Sequence, residues 1–361
     1  MRFDTQSITA RLLANPTPIT TVALQFPEGL VDHAFQVANQ LEEQIPGLTC
    51  VIFSDVVYGA CNIDDINCRL LGVDAIVHFG HSEIVEVSSP ILSIYVPVTL
   101  EGDVEKTIDA LTRLAAEKGH RNLALVTTAQ FVEFLSNIER ELQRRSPPFR
   151  IFGVPQAKLR KFEILGCTCA RFPTDVDAIV SVVDGDFHLE AACLSNARLP
   201  MYRLLPQAGS FEAVSYDAAG RIARRQEAIQ CALEHLRDGK MVGIVFGTLG
   251  RQGSLSLLNV LLKKLRTHKI RHRIISLHEV LPQYLFPHKD VSFFGQLACP
   301  RLTLDWDDEF KSAGLFLLNY FELVKAIDLY AGVLARFDDI EDYRLVNFCN
   351  GTHGELTYYS S

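Results

Sequence analysis

Nine cysteines are spread along a chain of 361 residues, and three of them stand apart by their neighbours. Cys61 follows Tyr58-Gly59-Ala60, Cys167 sits in Leu165-Gly166-Cys167-Thr168, and Cys299 lies in Ala298-Cys299-Pro300-Arg301. Glycine, alanine and proline beside a cysteine mark a turn at the end of a strand, where a sulfur can face a ligand. Thiolates are soft ligands for iron and zinc, so three such loops meeting at one place would make a three-ligand metal site. The alternative for each is a small, inert, buried hydrophobe. Spacing leaves both open. The three positions lie more than a hundred residues apart, no C-x-x-C pair offers a zinc ribbon, the compact C-x-x-x-C-x-x-C run is absent, and Cys167-Thr168-Cys169 is too close for a standard pair.

Elements that would position these thiols are legible as short apolar runs, each followed by a helical pattern. Residues 21–26, 122–127 and 241–246 read as buried parallel strands, and 130–145, 218–237 and 254–268 as helices with one polar face. Strand then helix, repeated, is the signature of α/β layers. Val73-Asp74-Ala75-Ile76-Val77 recurs letter for letter as Val176-Asp177-Ala178-Ile179-Val180, with a looser third copy in Lys289-Asp290-Val291-Ser292-Phe293-Phe294. Each copy falls late in one strand-initiated stretch, which predicts three related α/β units: 1–100 with Cys61, 101–210 with Cys167, and 211–361 with Cys299 and a C-terminal extension.

Composition narrows the classes. With 35 Lys+Arg against 43 Asp+Glu the net charge is −8, so no overall positive field exists to grip a nucleic-acid backbone or an anionic membrane. The longest apolar stretches are interrupted, as by Ser93 and Pro97, far short of the roughly 18 residues a membrane helix needs. Residues 1–13 carry Arg2, Asp4 and Arg11 without the apolar run of a secretory signal. A cytoplasmic protein with reduced thiols is expected.

An ordered series of segments is similar to the diphthamide synthase radical S-adenosylmethionine family. They are Phe26-Pro27-Glu28-Gly29-Leu30, Asp55-Val56-Val57-Tyr58-Gly59-Ala60-Cys61, His78-Phe79-Gly80-His81-Ser82, Leu165-Gly166-Cys167-Thr168, Asp184-Gly185-Asp186-Phe187-His188, Gly247-Thr248-Leu249-Gly250-Arg251-Gln252-Gly253 and Ala298-Cys299-Pro300-Arg301-Leu302. The last two resemble the catalytic first subunit of the eukaryotic enzyme. The resemblance implies three similar Rossmann-like α/β domains with parallel sheets around a central 4Fe-4S cluster held by Cys61, Cys167 and Cys299, with one iron left open for S-adenosylmethionine. It implies transfer of a 3-amino-3-carboxypropyl group from that cosubstrate to a histidine of translation elongation factor 2, the first step of diphthamide biosynthesis. It further implies a paralogous second subunit (a heterodimer, with a homodimer as the other form) and a small metal-binding electron-donor protein. Asn62 and Glu83 stand where many eukaryotic members have cysteine, neither a ligand in the family. Cys169 is an extra thiol that competes with Cys167 for the family position.

The run 247–253 follows a strand and precedes a helix, so Gly247, Gly250, Arg251 and Gly253 are expected near S-adenosylmethionine; the plain alternative is a tight strand-to-helix turn. Arg301 suits that cosubstrate's carboxylate and Asp305 its amine, unless the two form a structural ion pair. His78 and His81 lack a zinc-binding pattern and read as hydrogen-bonded loop residues, and His188 as a satisfied buried histidine at a strand end. Arg221, Arg224 and Arg225 space like a solvated helix face. Cys50, Cys68, Cys193, Cys231 and Cys349 read as apolar packing. Two rivals accompany the main reading: a quinolinate-synthase-like 4Fe-4S dehydratase, and a non-catalytic scaffold subunit.

Overall fold

The computed structural model describes residues 3–53, 59–84, 91–153, 158–183, 185–250 and 252–333. Cys349, Arg251, Asp184 and residues 55–58 of the expected motifs lie outside the described residues.

Three sheets, each dominated by parallel strands, organise the described chain. The first contains β1 (Thr21–Gln25), β2 (Thr49–Phe53), β3 (Ala75–Phe79) and β4 (Leu92–Val96), in the order β2-β1-β3-β4. The second has β5 (Asn122–Thr127), β6 (Arg150–Phe152), β7 (Ala178–Val182) and β8 (Met201–Leu205) in the same order, with an antiparallel fifth strand, β9 (Ser210–Ala213), beyond β8. The third repeats the order with β10 (Met241–Gly247), β11 (His272–Leu277), β12 (Val291–Leu297) and the two-residue β13 (Leu317–Leu318). The strand β9 runs across position 210 and stays with the second sheet.

Burial explains why these strands read as near-continuous apolar runs. In β3, Ala75, Val77 and Phe79 face one apolar cluster and Ile76 the other; in β7, Ala178, Val180 and Val182 face one side and Ile179 the opposite side. A strand covered on both faces has no solvent side to mark with polar residues. Helices cover those faces, among them Val104–Lys118, whose Asp103 side chain accepts from Lys106 N at 3.1 Å and whose last turn ends at left-handed Gly119. The expected helices occur as Val132–Arg145, Ala218–Arg237 and Leu255–Thr267.

The repeated pentapeptide has a structural cause. Asp74 Oδ2 accepts from the backbone N–H of Thr20 at 2.8 Å and of Thr21 at 2.9 Å, pinning the start of β3 to the start of β1. Asp177 Oδ2 does the same to Arg121 at 2.6 Å and Asn122 at 2.8 Å, between β7 and β5. Both carboxyls are held below the usual aspartate range, first by those backbone N–H groups. In the looser third copy Asp290 instead pairs with Arg273 on β11, and the register between β10 and β12 slips at Met241/Val242.

The spacing of Arg221, Arg224 and Arg225 suggested a solvated face, and the structure corrects this for Arg225. That side chain is 2% exposed, with Nε donating to Glu322 at 2.8 Å, Nη1 to Asp307 at 2.6 Å, and Nη2 to Glu322 at 2.7 Å and to the Leu317 carbonyl at 2.6 Å. Arg221 also turns inward, donating to the Leu304 carbonyl at 3.1 Å. Arginine periodicity cannot distinguish a solvated guanidinium from one that ties its helix to carboxylates far along the chain.

Candidate thiol centre and its surroundings

Each of the three singled-out cysteines sits in a loop on the carboxyl-end side of its sheet. Asn62 N donates to the Gly59 carbonyl at 2.9 Å, closing a turn that carries Cys61, and Asp64 then caps the helix Asp65–Leu70 through Asn67 N at 3.0 Å. Cys167 lies at the tip of a tight turn closed by reciprocal backbone bonds between Leu165 and Thr168, at 3.0 and 3.1 Å. That turn hangs from the last residue of β5, because Thr127 N donates to Phe162 O and Ile164 N to Thr127 O, both at 2.8 Å. Cys299 follows β12; its carbonyl accepts from Leu302 N at 3.1 Å and from the Gln296 carboxamide at 2.9 Å. The loops are not topologically equivalent. Cys61 and Cys167 precede the third strand of their sheets, whereas Cys299 follows its own.

The Cys61 turn and the Cys167 turn pack on the same small apolar cluster, Cys61 and Leu165 both lying against Ile84 and Leu159, and Cys299 is close enough to feel both sulfurs. Burial pushes the Cys299 thiol up, and the neighbouring sulfurs of Cys167 and then Cys61 push it further, partly opposed by the Arg301 backbone N–H. Cys61 is likewise raised by burial and eased by Gln252, whose Nε2 donates to its Sγ at 3.8 Å. Cys169 is directed elsewhere. Its thiol is buried in the second sheet's core with Phe172, Ile179 and Cys193, takes a long 3.9 Å contact from Asn196 Nδ2, and is raised first by burial and then by Cys193.

Among the described residues no three His, Cys, Asp or Glu side chains close around a single metal ion. An iron-sulfur cluster asks for something different, since each thiolate binds its own iron and the ligands stand further apart than around one ion. Three thiols from three loops, Cys167 buried and Cys61 and Cys299 half-buried, suit such a cluster in donor chemistry, and binding would require them to lose their protons.

Next to the thiols lies a cavity of about 350 Å³ between the first and second sheets. Ala60 and Leu165, neighbours of Cys61 and Cys167, line it together with His81, His188, Ser82 and Glu163. Ser82 Oγ donates to Glu163, whose other oxygen accepts from Arg160 N and Nε at 3.2 Å each, so a fully buried carboxylate ties the two sheets beside the cavity.

The histidines depart from expectation. His78 is a residue of β3 rather than of a loop; its Nδ1 meets Gln25 Oε1 at 3.1 Å and its Nε2 meets His81 Nδ1 at 3.1 Å. Burial, then His81, lowers His78 to about 3, and burial, then His188, lowers His81 to about 4, so both are neutral at pH 7. His188 belongs to the helix Phe187–Ser195, and its buried Nδ1 has no hydrogen-bond partner; the expected satisfied histidine at a strand end is not what the chain builds. A helix start after Gly185 was not separable from a strand end by composition alone.

Arg301 is 5% exposed, stacks 4.5 Å over the Phe187 ring, and pairs with Asp305 (Nη2 to Oδ1 2.6 Å, Nε to Oδ2 3.1 Å) and Glu190 (Nη2 to Oε2 2.5 Å). The structural ion pair, the alternative to cosubstrate contact, is therefore present, and among the described residues Nη1 is buried without a partner. The run 247–253 forms a strand-to-helix connection: Thr248 N bonds Leu277 O at 2.9 Å and Ser254 caps the helix Leu255–Thr267. Gly250 takes a left-handed φ of +55°, and a Cβ there would fall 2.5 Å from Asn62 Oδ1, so the run presses against the Cys61 turn. Sequence reasoning missed Glu190, Glu163 and Gln252. The signal for Glu190 was its place in the helix behind Asp186-Phe187-His188.

Comparison with known proteins follows the same lines. The family model described as "Putative diphthamide synthesis protein" matches residues 26–330. The chain is 40% identical to the 2-(3-amino-3-carboxypropyl)histidine synthase subunit 1 of Nematostella vectensis over 86% of this chain and 64% of that one. For the proteins of the same name from Mus musculus and Homo sapiens the identities are 39% and 37%, over 68% and 71% of their lengths. The chain thus spans about two thirds of the length of these curated relatives. A crystal structure of Dph2 from Pyrococcus horikoshii with a 4Fe-4S cluster superimposes with a TM-score of 0.74 at 23% identity, covering 96% of this chain and 93% of that one, so the fold is shared. With the matched region including strands of all three sheets and all three thiol loops, the chain belongs to the diphthamide synthesis protein family.

Proposed function

We propose that this chain is the catalytic subunit of a 2-(3-amino-3-carboxypropyl)histidine synthase, with Cys61, Cys167 and Cys299 holding a 4Fe-4S cluster. The observation that supports this best is that the Cys61 turn and the Cys167 turn pack on one apolar cluster, with Cys299 close enough for both sulfurs to act on it, beside a cavity of cosubstrate size. The names of the curated relatives and the cluster in the Pyrococcus horikoshii Dph2 support it. When bound, the cluster would supply an electron and an open iron for S-adenosylmethionine, releasing the 3-amino-3-carboxypropyl group that modifies a histidine of elongation factor 2.

The chain's own residues supply geometry. The turns set the direction of the sulfurs, and Ala60 and Leu165 give the cavity an apolar wall beside Cys61 and Cys167. Arg301 is held by Asp305 and Glu190 with Nη1 unspent, which fits it to receive the cosubstrate carboxylate. Asp305, committed to Arg301, orients that guanidinium rather than reaching for the amine. Gly247, Gly250 and Gly253 bring the third-sheet loop up to the first-sheet thiol, and Arg251 is assigned to the same cosubstrate by family resemblance. The three sheets are read as three domains, meeting at the thiols. The relatives' designation as subunit 1 supports a paralogous partner subunit, and a small metal-binding protein is the expected electron donor in the cytoplasm. Among the described residues no helix is long and apolar enough to cross a membrane.

Protein purified and reconstituted without oxygen should bind four irons and, once reduced, convert S-adenosylmethionine to 5′-methylthioadenosine. Iron without any cleavage product would favour the dehydratase reading, and absence of iron would favour the scaffold.

A further inference from the structure

We propose that Gln252 is a positioning residue for Cys61 that sets the reduction potential of the cluster. The inference rests on the cluster reading above. Its carboxamide Nε2 donates to Cys61 Sγ at 3.8 Å, across from the third sheet's loop to the first sheet's thiol. Hydrogen bonds to cluster sulfurs withdraw negative charge from the thiolate and stabilise the reduced, more negative state, which raises the potential.

The loop is built to deliver that side chain. Gly250 lies against Asn62, the residue after Cys61, where any Cβ would collide. Gln252 N donates to the Leu249 carbonyl at 3.3 Å, winding the chain back, and a Cβ at Gly253 would fall 2.2 Å from the Gly247 carbonyl oxygen. Two glycines thus hold the Gln252 backbone against both the Cys61 turn and the end of β10. On its other side Gln252 lines a water-sized space with Ala298 and Pro300, the residues flanking Cys299. One carboxamide therefore stands between two of the three thiol loops, and its bond goes to the sulfur. Gln296 acts on Cys299 differently, through that residue's carbonyl, and has no contact of this kind with a thiol.

The test uses the full chain with its reconstituted cluster. Gln252→Met keeps the length and removes the N–H donor; Gln252→Glu replaces the donor with a carboxylate. Iron content, the melting midpoint of the iron-free protein and the midpoint potential from a titration followed by electron paramagnetic resonance are measured for each. Gln252→Met should load iron and need about tenfold more reducing conditions, a fall of about 59 mV for one electron. Gln252→Glu should fall further. A variant that melts like the iron-free wild type and loads less iron, but whose loaded cluster keeps the wild-type potential, overturns the potential-setting role. Full loading at an unchanged potential in both variants overturns the proposal. A wild-type chain that binds no cluster sinks the function reading first, so the two failures are distinguishable.

Discussion

Two buried arginines, Arg225 and Arg301, face the same electrostatic problem and solve it differently. Arg225 is 2% exposed and Arg301 5%, and each is paired with two carboxylates. Around Arg225 both terminal nitrogens and Nε are engaged, by Asp307, Glu322 and the Leu317 carbonyl. Around Arg301, next to the thiols, Nη1 has no partner among the described residues, and neither do the buried Gln296 Oε1 and His188 Nδ1. An unsatisfied buried polar atom costs roughly 1–3 kcal/mol. A network that satisfies its members closes on itself and serves the fold. The one around Arg301 leaves a guanidinium nitrogen unpaired beside the cavity, where the proposed cosubstrate would lie.

The largest expected effect tests the thiol side of that comparison. Cys61→Ala, Cys167→Ala and Cys299→Ala should each reduce bound iron and activity by more than the roughly 100-fold that loss of an outer-shell partner costs, while Cys169→Ala retains both. Iron analysis after anaerobic reconstitution checks this, and retention of iron in all three variants would remove the centre.

Arg225→Met should destabilise the protein by about 3–5 kcal/mol, because Asp307 and Glu322 are left charged and buried. Urea unfolding measures the loss, and cluster binding per folded molecule should be unchanged. Arg301→Met should destabilise less, since Asp305 and Glu190 are 37% and 28% exposed and water can replace the guanidinium. Its principal effect should be weaker S-adenosylmethionine binding, by roughly ten- to a hundredfold for a lost charge-assisted bond, read by calorimetry on the loaded protein. If Arg225→Met rather than Arg301→Met abolished cosubstrate binding, the contrast between the two would be reversed.

The smallest effect concerns the paired aspartates. Asp74 and Asp177 are held low in the folded state by backbone N–H groups, so their stabilisation is full above the ordinary aspartate value near 4 and is lost as pH falls through the lowered folded values. Asp74→Asn and Asp177→Asn should therefore lose stability at pH 7 and show a flatter acid limb than the wild type. Equal acid sensitivity in variants and parent would mean that the repeated pentapeptide has no such electrostatic role.

Much of the architecture was legible because doubly covered parallel strands leave a strong local mark. The runs at 21–26, 122–127 and 241–246 become β1, β5 and β10, and all three copies of the repeated segment become the third strand of their sheets. The aspartate in two of those copies even accepts from the equivalent backbone N–H groups at the start of the first strand of its sheet. Arg225 and His188 were misread for one shared reason. Their environments are supplied by residues distant in the chain, Glu322 and Asp307 for one and the cavity wall for the other. The run 247–253 connects a strand to a helix as its sequence implies, but its pressure on Asn62 and Cys61 depends on how the first and third sheets face each other.

By itself the sequence determined the strand periodicity, the threefold repetition and the residue types able to bind soft metal, since each is carried by neighbours along the chain. Only the tertiary structure decided which of the described cysteines share an environment, that Arg301 keeps an unpaired donor beside them, and that Gln252 reaches the Cys61 sulfur. Those are matters of distance between loops separated by a hundred or more residues, and the interaction between charges and dipoles depends on that distance and on burial, neither of which local sequence encodes.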